Sequence, residues 1–467
     1  MTGPRHGELL VGWGRAGPSA AWVVDPQRVE DVSAYLGEPG HHLPRGLGRS
    51  YGDAAQCAGG TVLDCTALDR IVELDELGGR VRVEAGCSID ALLRVIVPRG
   101  LFVPVTPGTR YVTVGGAIAS DIHGKNHHRD GTISAHLEGL ELATPTGRLQ
   151  CGPDKDAELF WATTGGMGLT GVVTDATIRL LPIETSQMVV STERTADLEA
   201  CMARMSAADA DHRYSVAWVD SLARGRHLGR SVITTGDHAA RSDLTGKLRD
   251  DPLGFNPRQP LSVPVTPPVS LLNPLTVAAF NEAWYRRAPR TPTTELQRIS
   301  TFFHPLDGVG RWNALYGPHG FTQYQFVVPF GAEDVVRAVL ERLSSARAAS
   351  FLVVLKRFGA AGQGHLSFPT AGWTLALDLP LGTVGLALVL DELDEIVAGA
   401  GGRVYLSKDG RVRPEILHAM YPRIAEWAEI RRSVDPEGVL ESDLGRRLQL
   451  AGPRRHRTRP PERGRGR

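Results

Sequence analysis

Residues 20–185 have a hydrophobic pattern that predicts short strands and helices separated by turns. Residues 80–85 alternate between polar and apolar side chains and end at Gly86, as a half-buried strand does. Residues 88–96 have apolar positions at helical spacing, and Ser88 is placed to cap the first turn. Further elements are predicted as strands at 62–64, 136–144 and 172–181 and as a helix at 156–162. Because strands and helices do not alternate regularly, we expect an α+β fold.

The pattern changes near residue 186. Polar helices are predicted at 196–208 and 332–348, and strands at 214–219, 323–329 and 374–379. The last part of the chain returns to the style of the first. We therefore expect a first domain over 1–186 that is completed by 403–450, a second domain over 187–402, and a disordered basic tail over 451–467.

Residues 251–294 form a proline-rich segment with nine prolines. So many prolines are expected to prevent a long helix there. The segment also contains apolar stretches at 261–265 and 269–272. It is interpreted either as an ordered surface excursion or as a mobile apolar lid that contacts a lipid-like substrate or a membrane surface.

Charge and composition exclude several classes of protein. Lys plus Arg and Asp plus Glu are both 52, so no net charge attracts nucleic acid, and no nucleic-acid partner is expected. With 42% hydrophobic residues and only five cysteines, the chain is neither disordered throughout nor a disulfide scaffold. No signal peptide or membrane-spanning segment is visible, which favours a cytoplasmic or membrane-associated protein.

Lysine is scarce: only five of the 52 basic residues are lysines. Where any positive charge would serve, this chain uses arginine, so a lysine indicates a place that needs a compact, titratable ammonium group. Lys125, Lys356 and Lys408 lie in settings that favour this interpretation, although remaining on the surface by chance is the alternative. Lys155 and Lys247 are expected to be ordinary surface residues.

Two glycine-rich loops are candidates for a diphosphate site. Residues 45–53 combine three glycines with two arginines and a serine, so successive backbone N–H groups can converge on an anion. Residues 107–120 contain a Gly-Gly pair followed by small side chains, which allows close approach to a flat or anionic ligand. Tight turns without a ligand remain the alternative for either loop. The GxGxxG at 166–171 follows a helix and precedes a strand, so a Rossmann site is rejected.

A polar segment, Asp121–His128, follows the second loop. Three of its residues are histidines, but no cysteine or second carboxylate lies at ligand spacing, so no metal site is expected. We interpret the segment as a polar patch that faces a ligand, and a solvated loop as the alternative.

These motifs resemble the flavin domain of the vanillyl-alcohol oxidase / p-cresol methylhydroxylase superfamily. Within it, the chain is similar to the actinobacterial family of decaprenylphosphoryl-β-D-ribose 2′-oxidases. The resemblance covers residues 10–450 and is carried by 45–53, 121–128, 323–326, 367–369, 408–409 and 418–423. It implies a two-domain α+β flavoenzyme. A p-cresol methylhydroxylase-type FAD-binding domain would be joined to an antiparallel-sheet substrate domain.

The resemblance also implies the cofactor contacts. They would come from Pro44, Arg45, Gly46, Leu47, Gly48, Arg49, Ser50, Tyr51, Gly52, Asp53, Ala54, Gly108, Thr113, Val114, Gly115, Gly116, Ser120, Asp121, Ile122, His123, Val173 and Tyr405. Relatives with covalently bound flavin often have a histidine just before Ser50. Arg49 occupies that position, so non-covalent FAD is expected.

The resemblance implies oxidation of the 2′-hydroxyl of a polyprenylphosphoryl-ribose, the first half of an epimerisation to arabinose for cell-wall arabinan. An NAD-dependent reductase would be the partner, with peripheral membrane contact and location on the periplasmic face as further implications. Hydroxyl oxidation needs a base, and a buried lysine can serve where an arginine cannot. The catalytic set would be Lys408, Gln325, His123 and Tyr51. The substrate-binding set would be Lys125, Gln323, Lys356, Phe303, Phe358, Thr374 and Ala376.

The chain departs from the family pattern at three substrate positions. Ala376 stands where well-known members have a cysteine, Thr374 where they have an asparagine, and Phe303 where they have a tyrosine. Hydride transfer does not need that cysteine, so the three changes do not exclude oxidase activity. They do leave open which sugar is the substrate. The alternatives are an oxidase of a free alditol or aldonolactone and a flavin-binding scaffold without catalysis.

Overall fold

The computed structural model describes residues 4–450 and begins with a four-stranded sheet in the order β1-β2-β4-β3. Strands β2, β4 and β3 are parallel, and β1 runs antiparallel to β2. The first glycine loop leaves the end of β3. The elements are β1 (His6–Leu10), β2 (Ser19–Val24), α1 (Val29–Leu36), β3 (His42–Arg45) and β4 (Thr61–Asp64).

A five-stranded antiparallel sheet follows, in the order β5-β6-β10-β8-β9. Its apolar face packs against two helices, α2 and α3. The second of these occupies 114–119, so the second half of the predicted glycine loop 107–120, including its Gly-Gly pair, is a short helix. The elements are β5 (Ile71–Asp75), β6 (Arg80–Glu84), α2 (Ile89–Ile96), β7 (Leu101–Phe102), α3 (Val114–Ala119), α4 (His127–Asp130), β8 (Leu137–Thr144), β9 (Gly147–Cys151), α5 (Ala157–Thr163), β10 (Val172–Arg179) and β11 (Leu181–Pro182).

An antiparallel sheet of eight strands takes up the middle of the chain, in the order β16-β12-β14-β13-β19-β20-β18-β21. Its strands are β12 (Gln187–Thr195), β13 (Tyr214–Val219), β14 (Ser231–His238), β16 (Thr293–Arg298), β18 (Phe321–Pro329), β19 (Val353–Phe358), β20 (Gly372–Pro380) and β21 (Arg403–Val404). The short strands β15 (Leu261–Ser262) and β17 (Val309–Gly310) pair with each other.

One face of this sheet is covered by α6 (Leu198–Asp211), α10 (Glu333–Ser345) and α11 (Leu386–Gly399). Alternate residues of each strand point into that core or away from it. Along β18, Tyr324 and Phe326 belong to the core, while Gln323 and Gln325 point to the opposite face. The opposite face therefore remains free to form the wall of a cavity.

The proline-rich segment corrects one prediction. It contains a helix of 14 residues, α8 (Pro274–Arg287), between the short helices α7 (Lys247–Asp250) and α9 (Ile299–Phe303). Pro274 occupies the first turn, where its missing N–H costs nothing, and Asn273 accepts hydrogen bonds from the amides of Leu275 and Thr276. The next proline is Pro289, beyond the end of the helix. The position of the prolines, and not their number, therefore decides whether a helix can form in this segment.

The C-terminal part of the chain returns to the first two sheets through α12 (Pro414–Met420), α13 (Ile424–Val434) and α14 (Asp443–Arg447). The Trp427 indole N–H donates to the Ala162 carbonyl, and Arg447 forms ion pairs with Asp53 and Asp409. These contacts bring the segment that carries Lys408 against the first glycine loop. The α+β fold class is confirmed, whereas the domain boundaries at 186 and 402 stay predictions.

Helices are too short or too polar to cross a bilayer anywhere in residues 4–450. The predicted basic tail, 451–467, lies outside the described residues.

Candidate active site

The first glycine loop is held by backbone hydrogen bonds on two sides. The Trp13 amide donates to the Ser50 carbonyl at 2.8 Å, and the Tyr51 amide donates to the Ser407 carbonyl at 2.8 Å. A Cβ added to Gly52 would lie 1.9 Å from the Asp409 carbonyl oxygen, so only glycine fits there. The loop is therefore fixed between the N-terminal segment and the segment that carries Lys408.

The two glycine loops touch each other. A Cβ added to Gly46 would lie 2.2 Å from Thr113 Oγ1. Thr113 also caps α3, because its hydroxyl accepts a hydrogen bond from the Gly116 amide at 3.1 Å. Gly115 also lies close to Ala85, where an added Cβ would come within 2.9 Å of the alanine Cβ. Both loops thus meet in one place with their backbones exposed.

Four successive amides of the first loop are free to bind an anion. Within residues 4–450, the backbone N–H groups of Leu47, Gly48, Arg49 and Ser50 have no hydrogen-bond partner. Gly48 has a φ of +60°, which is the left-handed conformation that makes neighbouring N–H groups converge. The arrangement has the properties of a diphosphate nest.

A cavity of about 1090 Å³ extends from the loops across the open face of the eight-stranded sheet. This volume slightly exceeds the usual range for one small ligand, about 300–1,000 Å³, and it suits a dinucleotide together with a substrate. The predicted cofactor residues that line it are Pro44, Arg45, Gly46, Leu47, Gly48, Arg49, Ser50, Tyr51, Ala54, Gly108, Thr113, Gly115, Gly116, Ser120, Ile122, His123, Val173 and Tyr405.

Four predicted cofactor residues do not border the cavity and instead support its wall. Gly52 packs on Asp409, and Asp53 pairs with Arg447. Val114 is fully buried in the core beneath the second sheet. Asp121 is also buried; it accepts hydrogen bonds from the Ser367 hydroxyl and the Ser134 amide.

Arg49 lies at the predicted position of a covalent flavin link. Its guanidinium carbon is 3.9 Å from the centre of the Trp13 ring, and its Nε has no partner within the described residues. Burial lowers the pKa of this guanidinium from its ordinary value. Arginine supplies no nucleophile here, which agrees with the prediction of a non-covalent cofactor.

Three predicted residues, His123, Lys356 and Gln325, form a polar cluster with the imidazole at its centre. Lys356 Nζ lies 3.3 Å from Nδ1 of the imidazole, and the Gln325 side-chain amide lies 3.1 Å from Nε2. Burial and, after it, the positive charge of Lys356 hold the pKa of His123 well below its usual range. A neutral imidazole is therefore expected, and it carries one N–H and one acceptor nitrogen.

Lys408 faces the cavity beside the first loop. Its ammonium lies 3.8 Å from the centre of the Tyr51 ring. Burial lowers the pKa of Lys408, while the negative charge of Asp378 opposes this shift. The Asp378 carboxylate accepts a hydrogen bond from the Gln323 amide at 2.5 Å, and burial raises the pKa of that carboxyl. Desolvation raises the pKa of the Tyr51 phenol well above its usual range as well.

The other two candidate lysines also line the cavity. Burial, followed by the charge of Lys356, lowers the pKa of Lys125 to about 7, and burial alone lowers the pKa of Lys356 to about 8. Lys125 donates to the Phe302 carbonyl and lies 4.2 Å from the centre of that ring. Three lysines thus bring titratable amines to one cavity.

The remaining substrate candidates divide into two groups. Phe303 and Ala376 line the cavity. Thr374 and Phe358 lie behind its wall: the Thr374 hydroxyl accepts a hydrogen bond from the Gln325 amide at 3.3 Å, and the Phe358 ring packs 4.7 Å from the His123 ring. Both therefore position catalytic candidates and do not border the substrate space.

Sequence reasoning missed two residues of this site. Asp378 is two positions from Ala376 on the same face of β20, so strand alternation could have identified it. Trp13, which supports Arg49, has no sequence signal, because its place beside the loop depends on chain segments far apart in sequence.

Comparison with known proteins identifies a cofactor-binding domain. Residues 20–152 match the family described as FAD binding domain, and residues 388–448 match the family described as D-arabinono-1,4-lactone oxidase. The loops and the cavity fit FAD by their free amides and close backbone approach. The chain is an FAD-dependent oxidoreductase.

Individual relatives are similar over different lengths. A decaprenylphosphoryl-beta-D-ribose oxidase of Mycolicibacterium smegmatis is 44% identical over 96% of this chain and 98% of the relative. An uncharacterized protein of Streptomyces coelicolor is 42% identical over 78% of this chain and 100% of the relative. Cytokinin dehydrogenase 7 of Oryza sativa is 34% identical over 30% of this chain and 28% of the relative. The chain belongs to the decaprenylphosphoryl-β-D-ribose oxidase family.

Proposed function

We propose that this enzyme oxidises the 2′-hydroxyl of a polyprenylphosphoryl-ribose to a ketone. The observation that carries the proposal is the placement of Lys408, Gln325 and His123 on the wall of the cavity that also contains both glycine loops. The relative that is similar over nearly its full length is named for the oxidation of such a substrate. Bound FAD would supply the acceptor for the hydride that leaves C2′.

Lys408 would take the proton of the 2′-hydroxyl. Burial lowers the pKa of this lysine, so a useful fraction of the amine is neutral near pH 7 and can act as a base. Gln325 and Gln323 would hold the sugar by their amides. The neutral His123 completes this wall beside Gln325.

Lys356 and Lys125 would hold the substrate phosphate. Both amines line the cavity, and the single negative charge of the substrate phosphodiester between them would favour their protonated forms. The aromatic Phe303 and the small Ala376 would shape the space next to the sugar. Ala376 has no side chain beyond Cβ, so it would leave room here for a larger substituent on the sugar.

The exposed part of the proline-rich segment would contact a membrane. Its partly or fully exposed apolar side chains are Leu261, Val265, Val269, Leu271, Leu275, Phe280 and Trp284. So many exposed large apolar side chains within one chain segment favour a contact surface. Peripheral membrane attachment would also give access to a substrate that is dissolved in the bilayer, and it is compatible with the cytoplasmic or the periplasmic face.

A reductase would complete the reaction sequence. The 2′-keto product must receive a hydride on the opposite face of the sugar to yield arabinose, and we expect an NAD-dependent partner to supply it. Together the two steps would deliver a lipid-linked arabinose for cell-wall arabinan.

A free alditol or aldonolactone is the second candidate substrate. The match of residues 388–448 to the D-arabinono-1,4-lactone oxidase family supports it. However, that range excludes the strands that form the substrate wall, β13, β14, β18, β19 and β20. A scaffold without catalysis is disfavoured, because it would have no need for three lysines that line one cavity.

Anaerobic mixing of purified holoenzyme with candidate substrates separates these hypotheses. Polyprenylphosphoryl-ribose is expected to bleach the oxidised flavin spectrum, and a keto sugar is expected as the product by mass spectrometry. Bleaching by a free alditol or aldonolactone alone would support the second candidate. A spectrum that no substrate changes would leave only a flavin-binding role.

A further inference from the structure

One row of cavity-lining side chains crosses the eight-stranded sheet away from the catalytic groups. In register, Gln325 on β18 lies opposite Ala376 on β20, and Ala376 lies opposite Val354 on β19. Val354 in turn lies opposite Trp218 on β13, and Trp218 lies opposite Val232 on β14. All five residues line the cavity. The row spans four interstrand spacings, or about 19 Å.

Beyond Gln325 the row is apolar and has no free polar group. The Trp218 indole N–H is its only side-chain donor, and it is already bound to the Phe351 carbonyl at 2.9 Å. A sugar lying over Ala376, Val354, Trp218 and Val232 would lose its hydrogen bonds with water, and these four side chains offer none in exchange. The row therefore suits a hydrocarbon.

A roof over the far end is provided by α8. Phe280 and Trp284 line the cavity with parallel rings 6.0 Å apart, and Phe280 also packs edge-on against Phe351. The helix is fixed to the sheet by Arg194, which donates to the Tyr285 carbonyl.

This end of the cavity adjoins solvent. Phe280 and Trp284 keep 43% and 44% of their surface accessible. The mouth of the cavity at α8 is therefore bordered by two partly exposed aromatic rings.

We propose that the row from Val354 through Trp218 to Val232 is a groove for the isoprenoid chain of the substrate, which leaves the protein beneath α8. The proposal rests on the proposed function. Lys356 is two residues from Val354 on the same face of β19, so a phosphate held by Lys356 would place the first isoprene unit on Val354. The chain would then follow the row to Phe280 and Trp284 and enter the bilayer there.

Binding of isoprenyl phosphates without sugar tests the groove separately from catalysis. In calorimetric titrations of the holoenzyme in detergent, affinity is expected to increase from geranyl through farnesyl to decaprenyl phosphate, because longer chains cover more of the row. Affinity that does not depend on chain length would overturn the proposal.

Two variants that add a large side chain, one at each end of the row, test how far each ligand extends along it. Val354→Trp, next to Ala376, is expected to weaken all three ligands, whereas Val232→Trp, at the far end, is expected to weaken decaprenyl phosphate by about tenfold or more and geranyl phosphate by less than about twofold. Val384→Trp, at a position that is 96% exposed, is the matched control and should change nothing. Equal binding of decaprenyl phosphate by Val232→Trp and wild type would refute the groove.

A further variant keeps the test decisive if Val232→Trp destabilises the protein. If Val232→Trp lowers the thermal midpoint, Trp218→Ala removes the middle of the row without adding volume, and it should weaken decaprenyl phosphate several-fold. Chain-length dependence without oxidation of any phosphoribosyl lipid would refute the proposed function and leave the groove standing. Oxidation without chain-length dependence would do the reverse.

Discussion

The two ends of the cavity are built by different means. At the cofactor end, backbones approach one another: Gly46 lies against Thr113, and Gly52 lies against the Asp409 carbonyl. At the substrate end, side chains on the face of an antiparallel sheet meet across strand registers, as Trp218 meets Val354. A backbone site tolerates almost no substitution, whereas a side-chain site changes with each residue that faces it. The same cofactor chemistry can thus be combined with different substrates.

Removal of the Lys408 amine should stop chemistry and leave the cofactor end intact. Lys408→Met is expected to lower the rate of flavin reduction by about 10²–10⁴-fold, because the hydroxyl proton loses its acceptor. FAD content and the thermal midpoint should stay near wild type. A variant that bleaches as fast as wild type would show that Lys408 is not the base.

A larger side chain at the contact between the two glycine loops should weaken FAD binding, whereas loss of the Lys408 amine should not. Gly46→Ala forces a Cβ against Thr113, and overpacking of this kind costs about 1–3 kcal/mol. We expect FAD affinity to fall by about 5–150-fold, measured by cofactor retention on gel filtration. Gly399→Ala, where an added Cβ meets no atom within 4 Å, is the control. Full retention of FAD by Gly46→Ala would contradict contact between the loops.

Much of the cofactor end was readable from the sequence, because glycine spacing reports backbone approach directly. The substrate end was readable only in part. Gln323 and Gln325 were placed by alternation, but the partners of Lys408 and the row through Trp218 depend on pairing between strands that lie far apart in the chain. The number of prolines in 251–294 did not predict α8, because residues 275–288 contain none and Pro274 lies in the first turn of the helix.

Phe280 and Trp284, the partly exposed aromatic pair of α8 at the substrate end of the cavity, test the proposed membrane contact. Trp284→Ser together with Phe280→Ser should reduce co-sedimentation with lipid vesicles by about tenfold, because two large apolar side chains are lost from the contact. Reduction of the flavin by a short-chain substrate in solution should be unchanged. Vesicle binding equal to that of wild type would place the membrane contact elsewhere.

The smallest expected effect is a shift of the pH profile. The rate of flavin reduction should rise with pH as Lys408 loses its proton, since the neutral amine is the base. The negative charge of Asp378 raises the pKa of Lys408, so Asp378→Asn should move the acidic limb to lower pH. Asp378→Glu keeps the charge and should restore the profile. An unshifted limb in Asp378→Asn would mean that this carboxylate does not act on Lys408.

Single-turnover reduction under anaerobic conditions tests the central claim, that the glycine loops and the lysine wall form one oxidase site for a lipid-linked pentose. Decaprenylphosphoryl-ribose should bleach the bound flavin, and deuterium at C2′ should slow the bleaching. A flavin that remains oxidised with this substrate, while a free sugar reduces it, would contradict the account.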